Sequence, residues 1–127
     1  MTQRTTAEII HRFNHAFVDH DPTALDDLIA ADCVMEAIQP APDGARYEGR
    51  EACMAFWKAL AEDHSTQFEA EEIVALGEHA TIRWRYRFGA SPADSVRGVN
   101  LMQVRDGQIV EALGYSKTGG EIPLAAE

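Results

Sequence analysis

The stretch TIRWRYRF, residues 81–88, alternates polar and apolar side chains along its whole length. A period of two is typical of a β-strand with one face on a core and the other facing outward. We therefore predict a strand over residues 80–88 in an antiparallel sheet. The row toward the core consists of Ile82, Trp84, Tyr86 and Phe88, and the arginine row faces outward.

The acidic run before this strand helps to set the register. A turn at residues 77–79 would place Glu71 opposite Arg85 and Glu69 opposite Arg87. Each such cross-strand pair contributes ~0.2–1 kcal/mol. We interpret the arginine row as a solvated or interface charge ladder, which we favour over an anion-binding face.

Three further runs, residues 68–76, 95–104 and 108–116, also have strand character and are separated by turn residues. The connection over residues 89–94 is loose, whereas residues 105–107 (Arg-Asp-Gly) fit a three-residue hairpin turn. Together with residues 80–88, these runs predict a four-stranded meander.

Helices are predicted before the meander. Residues 5–8 (Thr-Thr-Ala-Glu) form a capping box, and an apolar stripe from Ile9 to Phe17 follows at helical spacing. Asp21-Pro22 starts a short second helix, residues 33–38 form a short strand, residues 39–47 a loop and residues 50–62 a third helix. This order predicts an α+β fold: three N-terminal helices packed on a curved, mixed and mostly antiparallel sheet.

Composition limits the class of protein. The 127 residues suit one domain, residues 1–127, and the net charge of −10 argues against nucleic-acid binding. No apolar run approaches ~20 residues, and Met1–Arg4 leads into no signal-peptide core, so no membrane contact is expected. Cys33 and Cys53 are expected to be reduced thiols of a cytoplasmic protein. No phosphate loop or dinucleotide fingerprint is present, and we expect neither cofactor nor metal.

The last two strands predict a cavity. With a three-residue turn at residues 105–107, Asn100 faces Ala112 and Gly98 faces Gly114. Small residues and an amide then stand where bulky aliphatic side chains normally fill the core. A two-residue turn would instead flip the last strand to its other face.

We expect this face and the helices to enclose an apolar pocket for a small hydrophobic molecule. Its predicted lining residues are Phe13, Phe17, Trp57, Trp84, Tyr86, Asn100, Met102, Ala112 and Gly114. The outer face of the same strands is apolar as well, which predicts a homodimer interface. Its outward residues are Val99, Leu101, Ile109, Leu113 and Tyr115.

Several short motifs resemble the nuclear transport factor 2 (NTF2) superfamily. They are ALDDL at residues 24–28, DCV at 32–34, YEGREA at 47–52, RGVN at 97–100 and VRDGQIVE at 104–111. The last three resemble its SnoaL-like branch. The resemblance implies a cone-shaped, cystatin-like α+β fold. It does not imply one activity, because the superfamily includes ketosteroid isomerases, polyketide cyclases, epoxide hydrolases, dehydratases and catalytically silent binding modules.

The catalytic set of the ketosteroid isomerases is absent. The resemblance aligns their aspartate base with Ala37, their tyrosine with Phe13 and their protonated acid with Asn100. The arginine and two aspartates of the limonene epoxide hydrolases are missing too, since Gly114 replaces a late-strand acid. Isomerase activity of the steroid type is therefore disfavoured.

Two residues near the predicted pocket could carry chemistry. Asn100 is the preferred ligand contact, because a buried amide needs a partner, although backbone or water could equally satisfy it. Glu36 is a weak catalytic candidate that would act as a general acid or base if it faced inward. The resemblance instead turns Met35 and Ala37 inward and leaves Glu36 to an outer arginine.

The histidines and cysteines receive no chemical role. His11 and His15 have metal-ligand spacing, but no third ligand is in view, so a solvated helix face is favoured. His20 is expected to be exposed at a helix C-terminus. Neither cysteine has a histidine at a spacing that suggests a reactive thiol.

Two functions remain open. One is a pocket enzyme for small apolar carbonyl compounds, such as a cyclase, isomerase or dehydratase, in which Asn100 polarises an oxygen and Trp84 and Tyr86 pack the ligand. The other is a non-catalytic ligand-binding or assembly module on the same scaffold. The missing acid–base pair supports the second, and the small inner side chains support the first.

Overall fold

The computed structural model of the protein describes residues 4–40 and 42–117. Residues 1–3, on which the expectation about the N-terminus rests, lie outside the described residues. Within the described part, two α-helices and six strands follow one another. They are α1 (Thr6–Val18), β1 (Ile29–Ala37), β2 (Ala45–Glu48), α2 (Arg50–Glu62), β3 (Gln67–Leu76), β4 (His79–Arg87), β5 (Ser95–Arg105) and β6 (Gln108–Ser116).

The two α-helices follow their sequence signals. The Thr5 hydroxyl accepts a hydrogen bond from the Glu8 backbone N–H, and the Glu8 carboxylate accepts one from the Thr5 N–H, so the capping box is confirmed. The apolar stripe of α1 is buried, and α2 covers the predicted residues 50–62. Neither helix in the described residues has the length and apolarity of a membrane span.

The prediction of a short second helix after Asp21-Pro22 is wrong, so the fold has two α-helices rather than three. After Asp21 the chain makes only a single 3₁₀ turn, Pro22–Leu25, before β1 begins at Ile29. Leu28 is already fixed there, because its carbonyl accepts a hydrogen bond from the N–H of Ile109 at 2.7 Å. Early pairing with a distant strand therefore leaves too few residues for an α-helix.

All six strands form one mixed sheet in the order β2-β1-β6-β5-β4-β3. Neighbouring strands are antiparallel except β1 and β6, which are parallel. The edge strand β2 pairs with β1 and was missed in the predicted loop over residues 39–47. Helix α1 packs on β3 and β4, and α2 packs on β1 and β2, so the core lies between the helices and one face of the sheet.

The hairpin between β5 and β6 differs from the prediction in two ways, which together keep the predicted faces but shift the pairing by two residues. Asn100 lies opposite Gly114 rather than Ala112, and Gly98 lies opposite Ser116 rather than Gly114, so both predicted pairs are wrong. The turn has two residues, Asp106 (φ 53°) and Gly107 (φ 78°), with Arg105 opposite Gln108. An extra residue at Val110 then makes a bulge in β6, which restores the predicted faces farther along the strand. Ile109 precedes the bulge and is completely buried, so its predicted outward position is wrong.

The acidic and arginine rows also meet in a different register. Glu69 lies opposite Arg85 and Gln67 lies opposite Arg87, and a bulge at Glu71 shifts the pairing beyond it. Both predicted oppositions, Glu71 with Arg85 and Glu69 with Arg87, are therefore wrong. The charges still pair on the outer face, where Arg87 Nε lies 2.7 Å from a Glu69 oxygen and Arg97 Nη2 lies 2.9 Å from a Glu71 oxygen. The outer face therefore carries a charge ladder whose ion pairs run diagonally between strands rather than between directly opposite residues.

Candidate functional site

A cavity of about 240 Å³ lies between the two helices and the inner face of the sheet. Six of the residues predicted for the pocket line it: Phe13, Phe17, Trp57, Trp84, Tyr86 and Asn100. Several other lining residues were not in the predicted set; they lie at the end of β1 or just after it, on α1, on α2 and on β3. Among them are Met35, Ile38, Phe56, Leu60, Phe68 and the amides Asn14 and Gln39.

Three residues predicted for the pocket lie elsewhere. Met102 and Ala112 are each 2% exposed and pack within the core, outside the cavity lining. Gly114 is close to the backbone of β1, since a Cβ there would lie 3.1 Å from the carbonyl oxygen of Glu36. The parallel pairing of β1 with β6 brings this backbone close, so β6 does not border the cavity.

Gly98 does not leave the empty space that the sequence suggested. A Cβ at Gly98 would lie 2.4 Å from Cζ2 and 2.5 Å from Cη2 of Trp84, because the indole ring crosses directly over the glycine. The missing side chain therefore makes room for Trp84, and the open volume lies farther out, between the aromatic walls.

The walls of the cavity are aromatic rings in contact with one another. Phe13 meets Phe17 and Trp57 with ring centroids 5.0 Å apart, in edge-to-face geometry. On the sheet side, Phe68 lies 5.6 Å from the Trp84 ring and 4.6 Å from the Tyr86 ring. Edge-to-face contacts stabilise such pairs by ~0.5–1.5 kcal/mol each. The walls are therefore held in place without a ligand.

The amide of Asn100 has a defined orientation in this cavity. The indole Nε1–H of Trp84 donates a hydrogen bond of 3.1 Å to Asn100 Oδ1. Because an indole N–H can only donate, the amide must turn its oxygen toward Trp84 and leave its NH₂ group for another partner. No side chain in the described residues accepts from that NH₂ group, and no fully buried polar side-chain atom there is without a partner. The NH₂ group is therefore accessible from the cavity.

The carboxylate of Glu36 is engaged on the other side of β1. Arg46 Nη1 donates to Glu36 Oε2 at 3.2 Å, and the same guanidinium binds Glu48 at 2.9 Å. Met35, the residue before Glu36 on β1, is 3% exposed and faces inward. In the described part of the chain, the lining residues other than Glu36 include one ionisable side chain, Tyr86. The arrangement thus provides a hydrogen-bond donor and aromatic surface, but no carboxylate–histidine pair.

His20 is not the exposed imidazole that the sequence predicted. Its Nδ1 lies 3.0 Å from the carbonyl oxygen of Ala61, and its Nε2 lies 3.1 Å from Gln67 Oε1. The Gln67 Nε2 donates in turn to the carbonyls of Val18 and Phe68, both at 2.9 Å. His20 thereby joins the ends of α1 and α2 to the start of β3, next to one wall of the cavity.

His15 lies on the surface of α1, and the two cysteines lie in the core. His15 pairs with Asp19 and Asp21 on the surface, and the described residues contain no cluster of three or more potential metal ligands. Both thiols are completely buried. Burial raises the pKa of Cys33 and of Cys53, so neither is activated as a thiolate.

Comparisons with known proteins agree with this architecture. The family model of the SnoaL-like domain matches residues 10–112. A solved NTF2-like protein of unknown function from Mesorhizobium loti is 51% identical, with a TM-score of 0.83, over 93% of this chain and 100% of that chain. No curated protein matches.

Two more distant structures show the fold alone. A protein of unknown function with a cystatin-like fold from Methylobium petroleophilum is 14% identical, with a TM-score of 0.73, over 98% of this chain and 84% of that one. An LEH-like epoxide hydrolase from Mycobacterium tuberculosis is 18% identical, with a TM-score of 0.70, over 92% and 83%. The six-stranded mixed sheet with its two helices thus has the cystatin-like, NTF2-like fold.

Proposed function

The chain belongs to the SnoaL-like domain family, and from that premise we propose that its cavity binds a small, uncharged, hydrophobic molecule that carries a carbonyl group. The observation that carries this proposal is the Asn100 amide, whose NH₂ group is turned toward the cavity by Trp84 at 3.1 Å. A carbonyl oxygen is the natural acceptor for this donor. The aromatic walls would cover the rest of the molecule.

The size and charge of the cavity narrow the ligand class. At about 240 Å³ the cavity is smaller than the ~300–1,000 Å³ pockets that hold drug-sized ligands. It corresponds to the volume of about eight liquid waters, so the enclosed part of a ligand has roughly ten non-hydrogen atoms. Glu36, the acid at its edge, is paired with Arg46 on the other side of β1. An uncharged ligand fits this environment better than an ion.

Binding without catalysis is the form of the proposal that the side chains support best. Acid–base catalysis needs a proton carrier within reach of the substrate, and Glu36 is turned toward Arg46. A cyclase, isomerase or dehydratase remains the second candidate, because the ionisable side chain of Tyr86 borders the cavity. That candidate predicts turnover of a bound ketone that is lost in Tyr86→Phe.

The test is a thermal-shift and calorimetric screen of cyclic ketones against wild type and Asn100→Leu. Gln108→Leu serves as a control, since it removes an amide outside the cavity. Loss of one hydrogen bond of ~1 kcal/mol should weaken ketone binding about fivefold in Asn100→Leu only. Equal binding by both proteins would remove Asn100 from the site, and no binding by any ketone would refute the proposal. Consumption of the ketone, followed by NMR, would favour the enzyme.

We also propose that the outer sheet face pairs with a second copy of the chain. Leu101 and Tyr115 are 42% and 53% exposed there, with Val99 and Leu113 half-buried beside them. Beside this patch Arg97 pairs with Glu71, so this ion pair adds no net charge at the proposed interface. Light scattering should give the mass of a dimer for wild type and of a monomer for Leu101→Glu. A monomeric wild type would refute this part.

A further inference from the structure

Asn14 is a second amide that borders the cavity, and it lies on a different wall from Asn100. It belongs to α1, one residue after Phe13 and three before Phe17. It lines both the cavity and an open groove between α1 and β3. A residue that borders both spaces lies at the rim between them.

The side chain of Asn14 has no protein partner among the described residues. It is half-buried, yet the hydrogen bonds near the cavity involve Trp84, Asn100, His20 and Gln67 rather than this amide. No fully buried side-chain nitrogen or oxygen in the described residues lacks a partner, so the Asn14 amide is still reached by water. A ligand that displaces this water must replace its hydrogen bonds or lose affinity.

The two amides offer different chemistry. Asn100 uses its oxygen on Trp84 and presents only a donor, whereas Asn14 keeps both its oxygen and its NH₂ group available. Asn100 lies on β5, in the sheet, and Asn14 lies on α1, with the rings of Phe13, Phe17 and Trp84 also lining the space. The cavity thus has polar groups on two walls and apolar surface around them.

We propose that Asn14 is a specificity-determining residue that binds a second oxygen of the ligand. This inference rests on the proposed function and deepens it. The ligand class is an uncharged molecule with a carbonyl at the sheet end and a hydroxyl or second carbonyl at the end that faces α1. Because the Asn14 amide can both donate and accept, either of those groups satisfies it.

Matched ligands test the proposal directly. Calorimetry would compare cyclohexanone and 1-decalone with ring-hydroxylated and diketone analogues of the same ring size, on wild type and on Asn14→Leu. One added hydrogen bond should make the best bifunctional analogue bind about three- to tenfold more tightly to wild type. Asn14→Leu should abolish this gain, so that simple and bifunctional ketones bind this variant equally, whereas Asn100→Leu should weaken the binding of both.

Two control variants show whether the change in affinity comes from loss of the Asn14 amide, from the added bulk of leucine or from the neighbouring groove. Asn14→Ala removes the amide with less added bulk and should behave as Asn14→Leu does. His11→Leu alters the same groove one turn earlier on α1 without bordering the cavity, and should keep the gain. Equal affinity of simple and bifunctional ketones for wild type, or a gain that survives in both Asn14 variants, would overturn this inference alone. Failure of every ketone to bind would overturn the proposed function and this inference with it.

Discussion

Substitution of Gly98 by alanine is expected to destabilise the protein far more than its single methyl group suggests. The new Cβ would lie 2.4 Å from Cζ2 of Trp84 and 2.4 Å from the carbonyl oxygen of Tyr115. The indole or the carbonyl must therefore shift, and the carbonyl belongs to the backbone of β6, which pairs with β5. Overpacking of this kind costs ~1–3 kcal/mol, and the rigid backbone partner places Gly98→Ala near ~2–3 kcal/mol.

The matched control is Gly114→Ala on the neighbouring strand. Its Cβ would meet its neighbours at 3.1–3.4 Å, a distance that shifts of a few tenths of an ångström relieve. The unfolded chain also loses entropy when glycine becomes alanine, which stabilises by ~0.4–1 kcal/mol at a permitted conformation. We therefore expect Gly114→Ala to stay within ~1 kcal/mol of wild type.

Urea unfolding measures the free energy of unfolding of both variants, and thermal unfolding should give a Tm for Gly98→Ala about 10 °C below wild type. The displaced indole should also lose its 3.1 Å hydrogen bond to Asn100, which shifts the Trp84 Nε1–H resonance in ¹⁵N spectra. Adding Trp84→Phe to Gly98→Ala should recover part of the stability, because phenylalanine lacks the outer indole ring. Wild-type stability in Gly98→Ala, with an unmoved Trp84 resonance, would refute the packing of Trp84 over Gly98.

Two further predictions concern the interior polar groups. His20→Ala removes the contacts to Ala61 and Gln67 and should lower the free energy of unfolding by ~1–2 kcal/mol. His64 is exposed and stacks on the His20 ring, and His64→Ala should change the free energy of unfolding by less than ~0.5 kcal/mol. Equal urea midpoints for the two variants would contradict the stabilising role of the His20 contacts. Burial raises the pKa of Cys33 and Cys53, so the folded chain keeps both thiol protons while the unfolded chain releases them as the pH rises through ~8.5, and stability should fall above that pH. Both thiols should also resist a thiolate-selective disulfide reagent at pH 8 until guanidinium is added, and rapid labelling of the native protein would show that the burial is wrong.

Much of the secondary structure could be predicted because its signals are local. The Thr5–Glu8 capping box and the spacing of the α1 stripe define a helix within a few residues. The alternation along residues 81–88 correctly placed Ile82 and Trp84 inside, whereas its inward position for Phe88 is wrong, because β4 ends at Arg87 and Phe88 is 52% exposed. The short stretch after Asp21 carried similar start signals, yet pairing of β1 with β6 ended the helix after one turn.

The candidate site was harder to predict because it depends on register and on contacts between distant segments. Sequence patterns placed Asn100, Trp84 and Phe13 near one another, and all three line the cavity. The same patterns missed Phe68 and Asn14, whose roles follow from the packing of α1 across β3 and β4. A signal for Phe68 was available, since it begins the strand next to the aromatic row.

Local sequence signals are enough to predict the α+β class, the two long helices and the inward face of β4, because periodicity and caps act over a few neighbouring residues. The parallel pairing of β1 with β6, the bulge at Val110 and the position of the cavity depend on contacts between distant segments. A period of two fixes which side chains share a face, but it does not say which strand lies alongside or whether a neighbouring ring fills the space. At Gly98 that space belongs to Trp84, and the open volume lies where no single stretch of sequence indicates it.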